Sequence, residues 1–227
     1  MKKILEETLE KNIDLNNSNL VIQKFGNLSI KIDNNLFAIK PSGVDLNKIK
    51  SNDISIVDLD GGHLSGMKPS VDTPTHIYLY KNFKSIGSIV HTHSLYASSW
   101  AQSLMSIPAY GTTHADYVNG DLLCTRKLTQ NEIESNYEYN TGVVIKETLD
   151  DKNISPTNLP GVLVGSHGVF SWGSDSGESL DNAEIIEYIA KLAYLTKNIN
   201  QKSIPIDNYL NSFHFNRKHG SDGYYGQ

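Results

Sequence analysis

The chain has a single cysteine, Cys124, among its 227 residues. That excludes an intramolecular disulfide framework and a structural zinc site built from several thiolates, and it makes a reducing compartment the natural setting. Long apolar runs are also missing. Nowhere do about 18 apolar residues follow one another, the length that a bilayer-crossing helix requires. The opening Met1-Lys2-Lys3-Ile4-Leu5-Glu6-Glu7 lacks the continuous hydrophobic segment of an export signal, so a cytoplasmic protein with no membrane partner is expected. Positive charge is in short supply as well. Lys and Arg number 20 against 25 Asp and Glu, giving a formal net charge of −5 without a dense basic cluster. Duplex nucleic acid demands a basic footprint and is excluded as the main partner, although basic residues can still gather locally at an anionic small molecule. No repeat or linker divides the chain, and 38% hydrophobic with 20% charged residues fits one ordinary globular domain over residues 1–227.

Helical and extended patterns succeed one another along the chain. Ile4, Leu5, Leu9 and Ile13 recur at helical spacing and predict an amphipathic helix at the N-terminus. Residues 25–32, 36–39 and 54–59 read as antiparallel strands, divided by the turn-forming Asn34-Asn35, Pro41-Ser42-Gly43 and Asp60-Gly61-Gly62. Asp72-Thr73-Pro74 has the chemistry of a helix start, a capping side chain followed by proline near the first helical position, and predicts a helix to about Lys81. The pattern continues with a strand running into His91, a helix over 94–104 and an extended segment over 107–116. A helix over 129–149 then opens with Thr129 and Glu132 at capping-box spacing. A strand over 161–164 and a helix over 179–198, carried by Ile185, Ile189, Leu192 and Leu195, complete it. The glycine-rich, aromatic end 217–227 is expected to fray, with Tyr224 and Tyr225 supplying apolar area and phenolic donors should it fold over a site or a neighbouring subunit. Together these elements predict a three-layer α/β/α fold around a mainly antiparallel sheet.

The most informative residues are His91-Thr92-His93, at the end of the apolar run 86–90. In an extended chain positions i and i+2 point the same way, about 6.5–7 Å apart at Cα, so both imidazoles can reach one ion. The short apolar strand 161–164 ends in Gly165-Ser166-His167-Gly168, where flanking glycines give a third histidine room among other ligands. Taken one at a time, each histidine also fits a hydrogen-bonded core residue. A His-Glu-x-x-His helix is missing, and no Asp or His follows His93 where a binuclear hydrolase would need one. A single catalytic ion with an exchangeable position fits better.

Seven strings then fall together: Gly26-Asn27, Lys40-Pro41-Ser42-Gly43-Val44, Ser70-Val71-Asp72-Thr73-Pro74-Thr75-His76, Ile89-Val90-His91-Thr92-His93-Ser94, Gly111-Thr112-Thr113-His114-Ala115-Asp116-Tyr117, Ser166-His167-Gly168 and Tyr224-Tyr225-Gly226-Gln227. In their order and number they resemble the epimerase branch of the class II aldolase/epimerase superfamily, over nearly the whole chain. The resemblance implies a class II aldolase-like fold and a zinc-dependent cytoplasmic homotetramer, one ion per subunit, that inverts carbon 4 of L-ribulose 5-phosphate. It further implies His91, His93 and His167 as metal ligands, with Asp72 as a fourth when substrate is absent; the competing role for Asp72 is a helix cap. Asp116 and Tyr225 are implied as the acid/base pair, on a subunit adjacent to the one holding the metal, with His214 a further substrate contact and the tail 204–227 contributing to the site. Carbon 4 carries no acidic proton, because the carbonyl is at carbon 2. The implied route is therefore cleavage of the C3–C4 bond, rotation of the aldehyde and re-addition.

For the phosphate, the resemblance points to Gly26, Asn27, Ser42, Gly43 and Ser70, with Lys40 supplying positive charge and the helix start after Pro74 supplying N–H groups. Ordinary polar turns are the competing reading. The chain departs from the pattern at Val71, where the family has a serine, leaving only the backbone N–H of that position for phosphate. Two alternatives stay open: a class II aldolase that releases its cleavage products, and a non-catalytic protein that binds metal or sugar phosphate. The aldolases resemble the chain less and carry Glu where Asp72 stands.

Overall fold

A computed structural model describes residues 1–220 and 223–225. Its helices are α1 (Lys2–Asn17), α2 (Thr73–Asn82), α3 (Leu95–Gln102), α4 (Thr112–Ala115), α5 (Gln130–Asp151), α6 (Ser176–Ile199) and α7 (Asn208–His219). Its strands are β1 (Asn27–Lys31), β2 (Leu36–Ile39), β3 (Ser55–Asp58), β4 (His63–Ser65), β5 (Ser88–Thr92), β6 (Gly161–Leu163) and β7 (Val169–Gly173). All seven strands join one sheet in the order β4-β3-β2-β1-β5-β7-β6, and every neighbouring pair is antiparallel.

Side-chain alternation along the strands divides the core. Leu28, Ile30 and Val90 face one way and pack with Leu15 of α1 and Leu180 of α6. Phe37, Ile39 and Ile89 face the other way, in the cluster that holds Leu79 and Tyr80 of α2 with Ile145 and Leu149 of α5. These layers give the expected α/β/α arrangement, and burying a side chain the size of Leu79 or Phe37 contributes roughly 1.5–3 kcal/mol. On the α2 face the sheet also buries polar groups, and Ser29 Oγ lies 2.8 Å from both His76 Nδ1 and the Tyr80 hydroxyl. His91 shares this face, two residues beyond Ile89 on β5.

Some expectations need correction. The segment 107–116 is extended only at its start, where Ile107 exchanges backbone hydrogen bonds with Leu122. From Thr112 it turns into α4, closed by Asp116 N donating to the Thr112 carbonyl at 2.9 Å; four residues are too few to show a helical period. Helix α5 is not continuous either. Asn136, at φ −165° and ψ 86°, interrupts it, and its side chain accepts from Tyr139 N at 3.2 Å to start a new helical run. Strand β7 is buried at every position, which removes the polar/apolar alternation that marks a strand, and α7 is too polar to announce itself. The tail does not fray at its described residues: Tyr224 N and Tyr225 N both donate to the Arg217 carbonyl, at 2.9 and 3.1 Å.

Candidate active site

Strand β5 carries His91 into the interior, and its Nδ1 lies 2.9 Å from the Val169 carbonyl of β7. A carbonyl only accepts, so Nδ1 holds the proton and Nε2 presents its lone pair. That Nε2 sits 3.0 Å from Nε2 of His93. His167 comes from the turn between β6 and β7, where Ser166 adopts φ 63° and Gly168 follows. A Cβ on Gly168 would meet the Thr92 carbonyl at 2.6 Å and His93 Cδ2 at 3.2 Å, so only glycine lets the two strand ends close on each other. The three ring centroids form a near-equilateral triangle with sides of 4.9, 4.8 and 5.0 Å, and one ligand nitrogen from each lies within 4.8 Å of the others. Phe170 stacks on His91 at 4.2 Å and closes the floor.

The electrostatics suit a cation. Burial pushes His93 down to about 4 and His167 down to about 3, with the neighbouring imidazoles adding to both shifts, so these two rings are neutral near pH 7. His167 Nδ1 is buried without a hydrogen-bond partner among the described residues. Three imidazoles converging on one point, one with an orphaned nitrogen, fit a divalent metal ion of intermediate softness.

Asp72 stands at the edge of this triangle, outside the group of three ligands. Its Oδ2 accepts from Asn27 Nδ2 at 2.7 Å and from Ser70 Oγ at 3.4 Å. Burial alone would raise its carboxyl, but His91, His76 and the Asn27 hydrogen bond hold it below the ordinary carboxylate range. Asp72 does occupy the N-cap position of α2, but its side chain makes no hydrogen bond to the helix start, so the carboxylate faces the cavity instead.

The end of the cavity expected to take the phosphate is assembled by two loops. Pro41 bridges Pro69, Ser42 N donates to the Lys68 carbonyl at 2.9 Å, and Ser70 N donates to the Lys40 carbonyl at 3.1 Å. Gly43, at φ 65°, takes the left-handed turn that brings Ser42 round. Gly26 is equally constrained: it sits at φ 83°, and a Cβ there would lie 2.5 Å from Val21 Cγ1 and 3.0 Å from the His91 carbonyl. Asn27 opposite His91 in the β1/β5 register then joins the two ends, since its Nδ2 reaches Ser70 Oγ at 3.2 Å as well as Asp72. Burial lowers the Lys40 ammonium, a shift that Asp72 opposes and Lys24 reinforces.

One cavity of about 810 Å³ takes in Gly26, Asn27, Lys40, Ser42, Gly43 and Ser70, continues past the exposed Val71 and Asp72, and ends at the three histidines. Sequence reasoning missed Lys24, Phe25, Tyr137 and Glu138 on its wall. Phe25 stacks over His93 at 6.0 Å and Tyr137 tilts against His167 at 5.7 Å. The helix break at Asn136 delivers Tyr137 and Glu138 to the site, and the Ser135-Asn136 pair in mid-helix is the one sequence signal that pointed there.

Asp116, His214 and Tyr225 do not border this cavity. They form a second cluster between α4 and α7. His214 Nδ1 donates to Asp116 Oδ1 at 2.9 Å, and Arg217 binds the same carboxylate through Nε at 3.2 Å and Nη2 at 3.0 Å. The Arg217 guanidinium lies 4.1 Å from the centre of the Tyr225 ring. The expected acid/base pair is thus brought together within one chain, apart from the histidine triangle.

The family model described as "Class II Aldolase and Adducin N-terminal domain" matches residues 6–194. A protein of Salmonella paratyphi C (strain RKS4594) named L-ribulose-5-phosphate 4-epimerase UlaF is 46% identical over 229 aligned residues, covering 100% of both chains. Its namesake in Salmonella typhi is 45% identical with the same coverage. Among solved structures, an L-fuculose 1-phosphate aldolase superposes with a TM-score of 0.80 at 24% identity, covering 95% of each chain. An L-fuculose-1-phosphate aldolase from Thermus thermophilus reaches 0.68 at 20% identity, covering 88% of this chain and 98% of its own. At such identities the two aldolases speak to the fold alone.

Proposed function

The chain belongs to the class II aldolase and adducin N-terminal domain family, and from that premise we propose that it is an L-ribulose-5-phosphate 4-epimerase, forming D-xylulose 5-phosphate by C3–C4 cleavage and re-addition. The observation that carries the reading is the triangle of imidazoles at one end of a cavity whose other end offers Asn27, Ser42, Ser70 and Lys40 to a phosphate. His91, His93 and His167 would hold a divalent ion, zinc by the chemistry of the donors, with Asp72 able to turn onto it from the edge. Such an ion would supply Lewis acidity to the carbonyl end of the sugar.

The residues of the chain handle the rest. Asn27, Ser42, Gly43, Ser70 and Lys40 fix the phosphate, which stays bound to the aldehyde fragment while that fragment rotates. Removing the proton from the C4 hydroxyl drives its electrons into a new C=O bond and breaks C3–C4, leaving an enediolate beside glycolaldehyde phosphate. After rotation the enediolate attacks the other face, and the new C4 oxygen takes a proton. Two groups, one for each face, are required, and Asp116 and Tyr225 fill the roles. Arg217 serves both, gripping the Asp116 carboxylate and lying on the Tyr225 ring. Because these groups lie apart from the histidines in one chain, a neighbouring subunit supplies them, in a cytoplasmic homotetramer whose sites lie at its interfaces.

The test is product identity. The metal-loaded protein given L-ribulose 5-phosphate should yield D-xylulose 5-phosphate with no free two- and three-carbon fragments, read by chromatography with mass spectrometry. Accumulated fragments would make it an aldolase, and no turnover would leave a binding protein.

A further inference from the structure

The loop before β1 holds a cation that neither the chemistry above nor the resemblance uses. Lys24 lies between Gln23 at φ 56° and Gly26 at φ 83°, two left-handed residues that turn the loop over the proposed phosphate end of the cavity. Its Nζ donates to the Gly43 carbonyl at 2.9 Å, and Lys40 Nζ donates to the Lys24 carbonyl at 2.9 Å. Each ammonium has three donors, and among the described residues each has this one hydrogen-bond partner. Two like charges are thus held at one turn, the second of them largely buried: burial weakens it most as a cation, Asp72 offsets this in part through space, and the first lysine weakens it further. Among the described residues no carboxylate touches either ammonium: Asp45 is taken by Lys48 at 3.2 Å and by Asn47 N at 3.1 Å, and Asp72 by Asn27 and Ser70. Such a pair costs stability unless an anion of matching charge joins it.

We propose that Lys24 is a specificity-determining residue that pairs with the second negative charge of a phosphate monoester dianion, Lys40 taking the first. A charge contact across the turn thereby does the work that the Val71 side chain, lacking a hydroxyl, leaves undone. The assignment rests on the sugar-phosphate reading of the cavity. It predicts selection for dianions over singly charged or neutral sugars, in which the lysine pair would be left partly uncompensated.

The experiment uses the full-length protein and inorganic phosphate, titrated by calorimetry at low ionic strength. Lys24 is exposed and its side chain has one hydrogen bond, so Lys24→Met should fold normally. Phosphate affinity should fall about five- to tenfold in Lys24→Met, the size of a solvent-screened charge-assisted contact, stay within about twofold in Lys24→Arg, and lose the difference at high salt. With L-ribulose 5-phosphate the loss should fall on KM far more than on kcat. Unchanged phosphate affinity in Lys24→Met, or no phosphate binding by the wild-type protein at millimolar concentrations, overturns the assignment. Turnover is a separate readout: a protein that binds phosphate through Lys24 but does not convert the sugar keeps this site and loses the epimerase reading.

Discussion

At the scale of single residues, the histidine triangle makes the plainest demand. Replacing His93 by Ala removes one of three imidazoles that meet within 4.8 Å, so metal occupancy should drop at least about tenfold. Elemental analysis after dialysis, alongside turnover of chelated and reloaded wild type, checks this; full activity in demonstrably metal-free protein would refute the mechanism. Val71 is 60% exposed on the cavity wall. Val71→Ser should add a hydrogen bond to a charged acceptor and strengthen phosphate binding by about 1–2 kcal/mol before entropy and desolvation are counted. A several-fold lower KM with a smaller change in kcat is expected, because on the proposed reading phosphate is held equally in ground and transition states. Steady-state kinetics with a parallel binding assay decide, and an unaltered KM would place the phosphate away from this loop. The His-x-His pair was legible in sequence because period two is a property of every strand. Lys24 was not, since it reaches the cavity through the left-handed Gln23 and Gly26, which residue types alone do not specify, and Tyr137 was hinted at only by the Ser135-Asn136 pair, which does not fix where the helix breaks.

Among elements, α4 is short and was read as extended, yet it anchors the segment that carries Asp116. His114 within it is 4% exposed, its Nε2 donates to the Gly120 carbonyl at 2.9 Å, and burial pushes its pKa down to about 4. An unfolded chain protonates this imidazole near pH 6.5, so between about 6.5 and 4 the unfolded state binds the extra proton. Stability is therefore complete above that window and falls on acidification through it, by up to about 3 kcal/mol from this group. Urea unfolding of metal-free protein at pH 7.5 and 4.5 should show a smaller loss in His114→Gln than in wild type. Equal losses would mean that other buried groups, such as His76, carry the whole dependence. Helices α1 and α6 were legible because their apolar residues repeat, and α2 because Pro74 stands in its first turn; α4 offers no such signal and α7 only the Asp207 cap, and packing against each other defines them.

For the whole molecule, the proposed site needs two chains, one giving the histidine triangle and the other giving Asp116 and Tyr225. His93→Ala and Tyr225→Phe should each be inactive alone, while subunit exchange between them should restore part of the activity, because some interfaces then join two intact halves. Confirmed mixed oligomers with no recovery would place both halves of the chemistry in one chain. The layered antiparallel architecture was readable from turn residues and alternation, whereas this division of labour came only through resemblance, since no pattern within a chain records which neighbour completes it. The sheet itself adds one consequence. Asn27 stands opposite His91 across a single rung of the β1/β5 ladder, and a slip of one residue would turn Asn27 to the opposite face. On the proposed reading, backbone hydrogen bonding therefore fixes how far Asn27 stands from the metal ligands, and at this rung the sheet works as a ruler. On the proposed reading, a ketose phosphate one carbon shorter or longer than a pentose presents its two ends at a spacing this rung cannot follow. Discrimination by chain length then resides in this rung of the main chain together with the loops that carry Ser42 and Ser70.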